Sequence, residues 1–102
     1  MSALYERKTG ANRGKPRLWL EGACLSDNGW ARGDRFDVVE GAGRLSYVKR
    51  AEGKRKVAGT VQRPIIDTNG ALVGECLGEK GTVCLVSVSR SAVDVSVKGG
   101  AA

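Results

Sequence analysis

Short runs of alternating apolar residues, separated by glycine turns, constrain the fold of this sequence more than any other feature. Phe36 and Val38 alternate with charged residues, and Val93, Val95 and Val97 repeat the pattern near the C-terminus. A period of two residues is typical of a β-strand with one buried face. A chain of 102 residues is long enough for one core of this kind. We therefore expect one small, mainly β domain.

The same order of elements is predicted twice: a strand, one turn of helix closed by glycine, a glycine turn and a β-hairpin. Placing Gly33 on Gly81 offsets the two halves by 48 residues and aligns Leu45 with Val93. A repeat of this length indicates two units that cover each other's apolar faces, and the alternative is chance alternation within a β protein. The predicted segments are a flexible basic arm (1–16), unit one (17–49), a basic connector (50–63), unit two (64–98) and a disordered tail (99–102).

The residue types argue against most catalytic chemistry. Histidine is absent, which removes the usual general base and the commonest neutral metal ligand. The three cysteines form no CxxC pair and are interpreted as small buried apolar residues. Asp34, Asp37 and Asp67 belong to no recognisable metal loop and are interpreted as turn residues. We expect no catalytic residue, metal or cofactor, although the sequence leaves nuclease chemistry open.

No apolar run approaches the ~20 residues that a membrane-spanning helix needs. Residues 1–17 are polar and basic and contain no hydrophobic signal region. These features predict a cytoplasmic protein without a membrane partner.

Basic residues are concentrated in the arm and the connector. The chain has 17 Lys and Arg against 11 Asp and Glu, a net charge of +6. A segregated basic excess suits a polyanionic partner, whereas a merely solvated charged surface is the alternative. We therefore expect the partner to be nucleic acid, with DNA favoured over RNA, or a nucleoprotein complex. The predicted contact residues are Arg13, Lys15, Arg17, Arg32, Arg35, Lys49, Arg50, Lys54, Arg55, Lys56 and Arg63, of which residues 54–56 form the densest group.

A segment of the first half resembles a known family. The run Pro16-Arg17-Leu18-Trp19-Leu20-Glu21-Gly22, followed by Leu25, Gly29-Trp30, Gly33 and Phe36-Asp37-Val38, is similar to the SymE-type toxin domain of the AbrB-like swapped-hairpin superfamily. The resemblance covers about a third of the chain, and residues 81–88 with 93–95 are similar to the same hairpin.

That resemblance implies a small β-barrel in which two hairpin units interleave, either as a monomeric pseudo-dimer or as a homodimer. It also implies DNA binding or toxin-like action on nucleic acid. The helical turn Leu25-Ser26-Asp27-Asn28 lacks the basic residues that AbrB-type DNA binders carry there. We therefore expect phosphate contacts from Arg32 and Arg35, the arm and the connector.

A second function fits the same composition. A small β protein without evident catalytic groups could instead be a phage-type inhibitor, similar to an anti-CRISPR protein, that binds a host or defence nucleoprotein complex. Binding to nucleic acid at low salt, or its absence, would discriminate between the two functions.

Overall fold

The computed structural model describes residues 3–98, so the predicted disordered tail lies outside the described part of the chain. Residues 3–98 form ten strands and two short helices. The elements are β1 (Ala3–Lys8), β2 (Gly10–Asn12), β3 (Lys15–Glu21), α1 (Ala23–Ser26), β4 (Arg35–Gly41), β5 (Arg44–Lys49), β6 (Arg55–Lys56), β7 (Ala58–Gly59), β8 (Pro64–Asn69), α2 (Ala71–Cys76), β9 (Val83–Val88) and β10 (Ala92–Val97). The expected mainly β fold is confirmed.

The strands form two antiparallel sheets. The six-stranded sheet has the order β1-β9-β10-β5-β4-β6, and the four-stranded sheet has the order β2-β3-β8-β7. Neither sheet closes on itself, so the described chain forms two open sheets in place of the predicted barrel. Only Thr9 separates β1 from β2, and only Val57 separates β6 from β7. Both edges of the larger sheet therefore lead directly into the edges of the smaller one.

The core contains apolar side chains from both sheets. Leu18 and Leu20 of the smaller sheet and Leu45 and Tyr47 of the larger sheet are fully buried. The hydroxyl groups of Tyr47 and Thr68 share a buried hydrogen bond of 2.6 Å between the sheets. Edge-to-face contacts join the rings of Trp30, Phe36 and Tyr47. The cysteines are free and buried, as predicted (Cys24, Cys76 and Cys84).

The N-terminal segment is part of the larger sheet. In place of the predicted flexible arm, β1 pairs along its whole length with β9, from Ala3 opposite Val88 to Lys8 opposite Val83. The arm prediction was therefore wrong for residues 3–16, all of which except Thr9 and the turn residues Arg13 and Gly14 lie in strands. The physical reason is that β1 satisfies the open hydrogen-bonding edge of β9 and packs Tyr5 against the core.

The elements of residues 3–50 recur in residues 51–98. Strands β1 to β5 correspond to β6 to β10, and α1 corresponds to α2, at the same spacing of 48 residues that separates Ser46 from Asp94. Ser46 pairs directly with Asp94, and Trp19 pairs with Asp67, so two residues are each opposite their own counterpart. An internal two-fold axis passes through these two pairs. The predicted connector, residues 50–63, thus contains the strands that correspond to β1 and β2.

Candidate nucleic-acid interface

Three of the predicted contact residues meet where the two sheets adjoin. Arg35 of β4 lies directly opposite Lys56 of β6, which places their side chains on the same face of the sheet. Arg32 and Lys56 line one open cavity of about 430 Å³. All three residues are exposed, and none has an ion pair within the described chain. We call Arg32, Arg35 and Lys56 the edge cluster.

Backbone hydrogen bonds hold the edge cluster together. The N–H of Gly33 donates to the carbonyl of Val57 at 2.9 Å, and the N–H of Val57 donates to the carbonyl of Asp34 at 2.9 Å. These bonds fix the loop that carries Arg32 beside the strand that carries Lys56. Gly33 has a φ of 92°, a conformation that favours glycine. The position of Arg32 therefore depends on the glycine that follows it.

Two further glycines keep the connector close to the sheet. A Cβ atom at Gly53 would lie 2.6 Å from backbone atoms of Phe36, and one at Gly59 would lie 2.2 Å from the carbonyl oxygen of Arg63. A larger residue at either position would push the chain away. The Arg35 guanidinium also donates to the Gly53 carbonyl at 3.0 Å. The contacts at Gly53 hold β6 against β4, and the close approach at Gly59 closes the turn between β7 and β8.

Lys54 and Arg55 lie next to acidic residues and are separated from the edge cluster. The backbone N–H of Lys54 donates to the Asp37 carboxylate at 3.0 Å, and both basic residues line a cavity that also includes Asp37 and Glu40. Because successive residues of a strand face opposite sides, Arg55 and Lys56 face different surfaces. The densest basic group in the sequence is therefore divided in the structure.

Three predicted contact residues are engaged within the protein. Arg17 makes a two-pronged pair with Asp67, at 2.8 and 3.1 Å, and its guanidinium lies 4.1 Å from the centre of the Trp19 ring. The hydrogen bond to Asp67 raises the pKa of Arg17. Lys49 lies 3.3 Å from Asp34, and Arg50 lies 3.5 Å from Asp37. The three aspartates that were interpreted as turn residues are thus partners of basic side chains.

The remaining predicted residues lie at the smaller sheet. Arg13 occupies the β2–β3 turn with a φ of 53°, and Lys15 begins β3. Arg63 lies in the β7–β8 turn. Because β2 and β7 are opposite edges of this sheet, Arg13 and Lys15 are separated from Arg63. All three are exposed and have no ion pair among residues 3–98.

Two further lysines, Lys8 and Lys80, were not among the predicted contact residues. Lys8 lies on β1, which corresponds to β6, and it is therefore the counterpart of Lys56. Lys80 is the counterpart of Arg32 by the same spacing. Within the predicted units, the offset already aligned Lys80 with Arg32. Extending it beyond those units would have aligned Arg7-Lys8 with Arg55-Lys56, and these alignments were the signals that could have found the two lysines.

Burial raises the pKa of the Cys24 and Cys84 thiols, which favours their protonated form. Among residues 3–98 there is no group of three or more His, Cys, Asp or Glu side chains placed to hold a metal ion. None of the helices in the described chain has the length and apolar character required to span a membrane.

Comparison of this chain with protein-family models, with curated proteins and with solved structures gave no match. The function is therefore inferred from the geometry and charge described above.

Proposed function

We propose that this protein is a nucleic-acid-binding module of the AbrB/SymE type that contacts phosphates with the edge cluster. The observation that carries the proposal is the juxtaposition of Arg32, Arg35 and Lys56 as exposed basic side chains without ion pairs in the described chain. Basic side chains that are free of internal ion pairs can replace the counterions of a phosphate backbone. Together with the net charge of +6, they produce the positive electrostatic potential that is expected of a protein that binds a polyanion.

The interleaving of strands supports the swapped-hairpin part of the proposal. In the larger sheet, β1 of the first half lies beside β9 of the second, and β6 of the second half lies beside β4 of the first. The two hairpins meet through β5 and β10. We infer a monomeric pseudo-dimer, in which one chain supplies both units. Light scattering on the eluted protein should give the 10.8 kDa mass of one chain, and a mass twice as large would contradict this part.

The binding proposal is tested with a labelled DNA duplex of about 20 base pairs, whose fluorescence anisotropy is followed at several salt concentrations. The slope of log K against log [salt] falls in magnitude by about 0.9 for each phosphate that the protein no longer neutralises. Lys56→Ala should therefore lower the slope by about 0.9. Arg44→Ala is the control because it removes one exposed positive charge from β5 opposite the other end of β4, where Arg44 lies 3.9 Å from Asp94, and it should leave the slope nearly unchanged.

The same titration with single-stranded DNA and with RNA ranks the nucleic-acid classes, and we expect duplex DNA to bind more tightly. Absence of salt-dependent binding to all three would reject the proposed function. Equal effects of Lys56→Ala and Arg44→Ala would reject the edge cluster as the contact surface.

A protein-binding inhibitor is the second candidate, and the outer face of the larger sheet favours it. Leu4 and Val39 are 68% and 50% exposed. A continuous row of paired residues connects them across five strands, through Ser87, Asp94 and Ser46. A face with exposed apolar residues at both ends and polar residues between them suits a protein partner. This candidate predicts that Leu4→Asp abolishes capture of a nucleoprotein complex from phage-host lysate, whereas Lys56→Ala preserves that capture.

A further inference from the structure

We propose that Lys8 and Lys80 form a second phosphate-contacting site, equivalent by the internal two-fold axis to the site of Arg32 and Lys56. The inference deepens the proposed function and rests on it, because it concerns how the same chain contacts nucleic acid. It predicts that one chain offers two basic contact sites, at the two opposite edges of the larger sheet.

Hydrogen bonds at Thr9 bring Lys8 and Lys80 together. The N–H of Thr9 donates to the carbonyl of Thr82 at 2.9 Å, and the N–H of Gly81 donates to the carbonyl of Thr9 at 2.8 Å. The loop that carries Lys80 is therefore fixed to the strand that ends with Lys8. Both lysines are exposed, and neither has an ion pair among residues 3–98.

The first site has the same backbone arrangement. Val57 takes the place of Thr9, and it exchanges hydrogen bonds of 2.9 Å with Gly33 and Asp34, as Thr9 does with Gly81 and Thr82. Thr9 and Val57 are both buried, at 3% and 2% exposure. The two lysine-bearing strands and the two loops are thus held in equivalent positions by equivalent contacts.

Basic residues coincide between the halves more often than acidic residues do. The coinciding basic residues are Arg7 with Arg55, Lys8 with Lys56, Lys15 with Arg63, Arg32 with Lys80, and Arg50 with Lys98. In the second half only Lys54 and Arg90 have a counterpart that is not basic. Among acidic residues, only Asp27 and Glu75 coincide. Five basic pairs therefore recur against one acidic pair, while the first-half residues without a basic counterpart are Arg13, Arg17, Arg35, Arg44 and Lys49.

Folding does not explain the recurrence of Lys8 with Lys56 or of Lys80 with Arg32. Arg50 and Lys98 both form ion pairs, with Asp37 and Glu6, so their charges have a structural role. Lys8 and Lys80 have no such partner within residues 3–98, and substitutions at exposed positions of this kind usually change stability by no more than about 0.5 kcal/mol. A function that requires a cation at both edges accounts for the retained charge.

The two sites differ in three charged residues: the counterparts of Arg35 and Asp34 in the second site are Val83 and Thr82, and the second site carries an additional carboxylate at Glu79. Glu79 precedes Lys80, whereas its counterpart before Arg32 is Ala31. Glu79 has no ion pair among residues 3–98, so its full negative charge opposes an approaching phosphate. The second site should therefore bind phosphate more weakly than the first, and neutralising Glu79 should strengthen it.

The test compares charge-removing variants in the anisotropy titration with the same DNA duplex. Lys8→Ala with Lys80→Ala, and separately Arg32→Ala with Lys56→Ala, should each lower the salt slope by about 1.8, and the four substitutions together by about 3.6. Arg90→Ala is the single-charge control for Lys8 and Lys80, because its hairpin turn lies at the opposite end of β9 from the partner of Lys8. Arg44→Ala, opposite the end of β4 that is remote from the partner of Lys56, is the control for Arg32 and Lys56, and neither control should change the slope appreciably. Circular dichroism and urea midpoints verify that every variant is folded.

A second measurement should show an increase in DNA affinity, where the first shows a decrease. Glu79→Gln should raise the affinity at low salt about threefold, as expected for one charge removed near a bound phosphate. Glu21→Gln, which neutralises an exposed carboxylate on β3, is its control and should change the affinity less.

The outcomes separate the two proposals. If Lys8→Ala with Lys80→Ala binds as the parent does, while Arg32→Ala with Lys56→Ala loses affinity, the second site is wrong and the proposed function stands. If the parent protein shows no salt-dependent binding, the second site and the proposed function are both rejected. A lower slope at both pairs supports the inference, and an unchanged affinity in Glu79→Gln contradicts its electrostatic basis.

Discussion

The hydrogen bond between Tyr47 and Thr68 provides a sharp test of how the two sheets are joined. Tyr47 belongs to the larger sheet and is fully buried, and Thr68 belongs to the smaller sheet and is 1% exposed. Their hydroxyl oxygens are 2.6 Å apart, and neither hydroxyl has another hydrogen bond among the side chains that the structure describes. Removing one hydroxyl therefore leaves the other buried without a partner.

The size of the expected destabilisation follows from the absence of any other partner for these two hydroxyl groups among the described residues. An unsatisfied buried hydroxyl reduces the free energy of unfolding by about 1–3 kcal/mol, whereas removing both partners with similar shapes is nearly neutral. Tyr47→Phe and Thr68→Val should each therefore destabilise by about 2 kcal/mol, and the double variant by less than either single change. Valine keeps the shape of threonine, so the comparison isolates the hydrogen bond.

Urea denaturation followed by circular dichroism measures these differences. With a slope of roughly 1–3 kcal/mol per molar urea, each single variant should lower the midpoint by about 1 M, and the double variant should regain most of that decrease. Destabilisation of the double variant that equals the sum of the two single effects would refute the reasoning, because the two groups would then act independently.

Further predictions concern pH, the connector and the free cations. Burial raises the pKa of Tyr47 to about 12 from its ordinary 10.0. The stability that its neutral hydroxyl contributes should therefore be complete below pH 10 and be lost as the pH rises to about 12. This loss, of about 3 kcal/mol in the free energy of unfolding, should be absent in Tyr47→Phe, and an unchanged loss would contradict the prediction. Gly53→Ala should destabilise by about 2 kcal/mol and weaken DNA binding, because its Cβ would displace the connector from the Phe36 backbone, and normal urea midpoints and affinity would contradict this. Arg17→Ala should change the salt slope by less than about 0.3, against about 0.9 for Lys56→Ala, because Asp67 holds Arg17 in an ion pair. Equal changes in the slope for the two variants would show that this ion pair does not keep Arg17 from contacting phosphate.

Local patterns predicted the elements of the two hairpins and the short helices correctly. The alternation of Phe36 and Val38 predicted a strand with one buried face, and Phe36 is buried in β4. Glycines after the helical turns predicted their ends, and Gly29 and Gly78 have φ values of 87° and 113°. These features depend on residues close in sequence, which is why they can be recognised without the fold.

The N-terminal strand was missed because its pattern does not resemble that of a buried strand. In β1 the large apolar Leu4 faces outward at 68% exposure, while Tyr5 packs against the core. Its formation depends on pairing with β9, about 80 residues away along the chain. A strand that is specified by its partner leaves little signal in its own residues.

The basic composition and its concentration in residues 1–17 and 44–63 are evident from the sequence alone, and so is the offset of 48 residues between the halves. Only the tertiary structure determined which basic side chains have an acidic partner and which do not. Asp67 neutralises Arg17 from 50 residues away, whereas Arg32 and Lys56 meet at an edge without an acidic partner in the described chain. Electrostatic energy depends on distances in space, and the strand pairing that sets those distances is not local in the sequence.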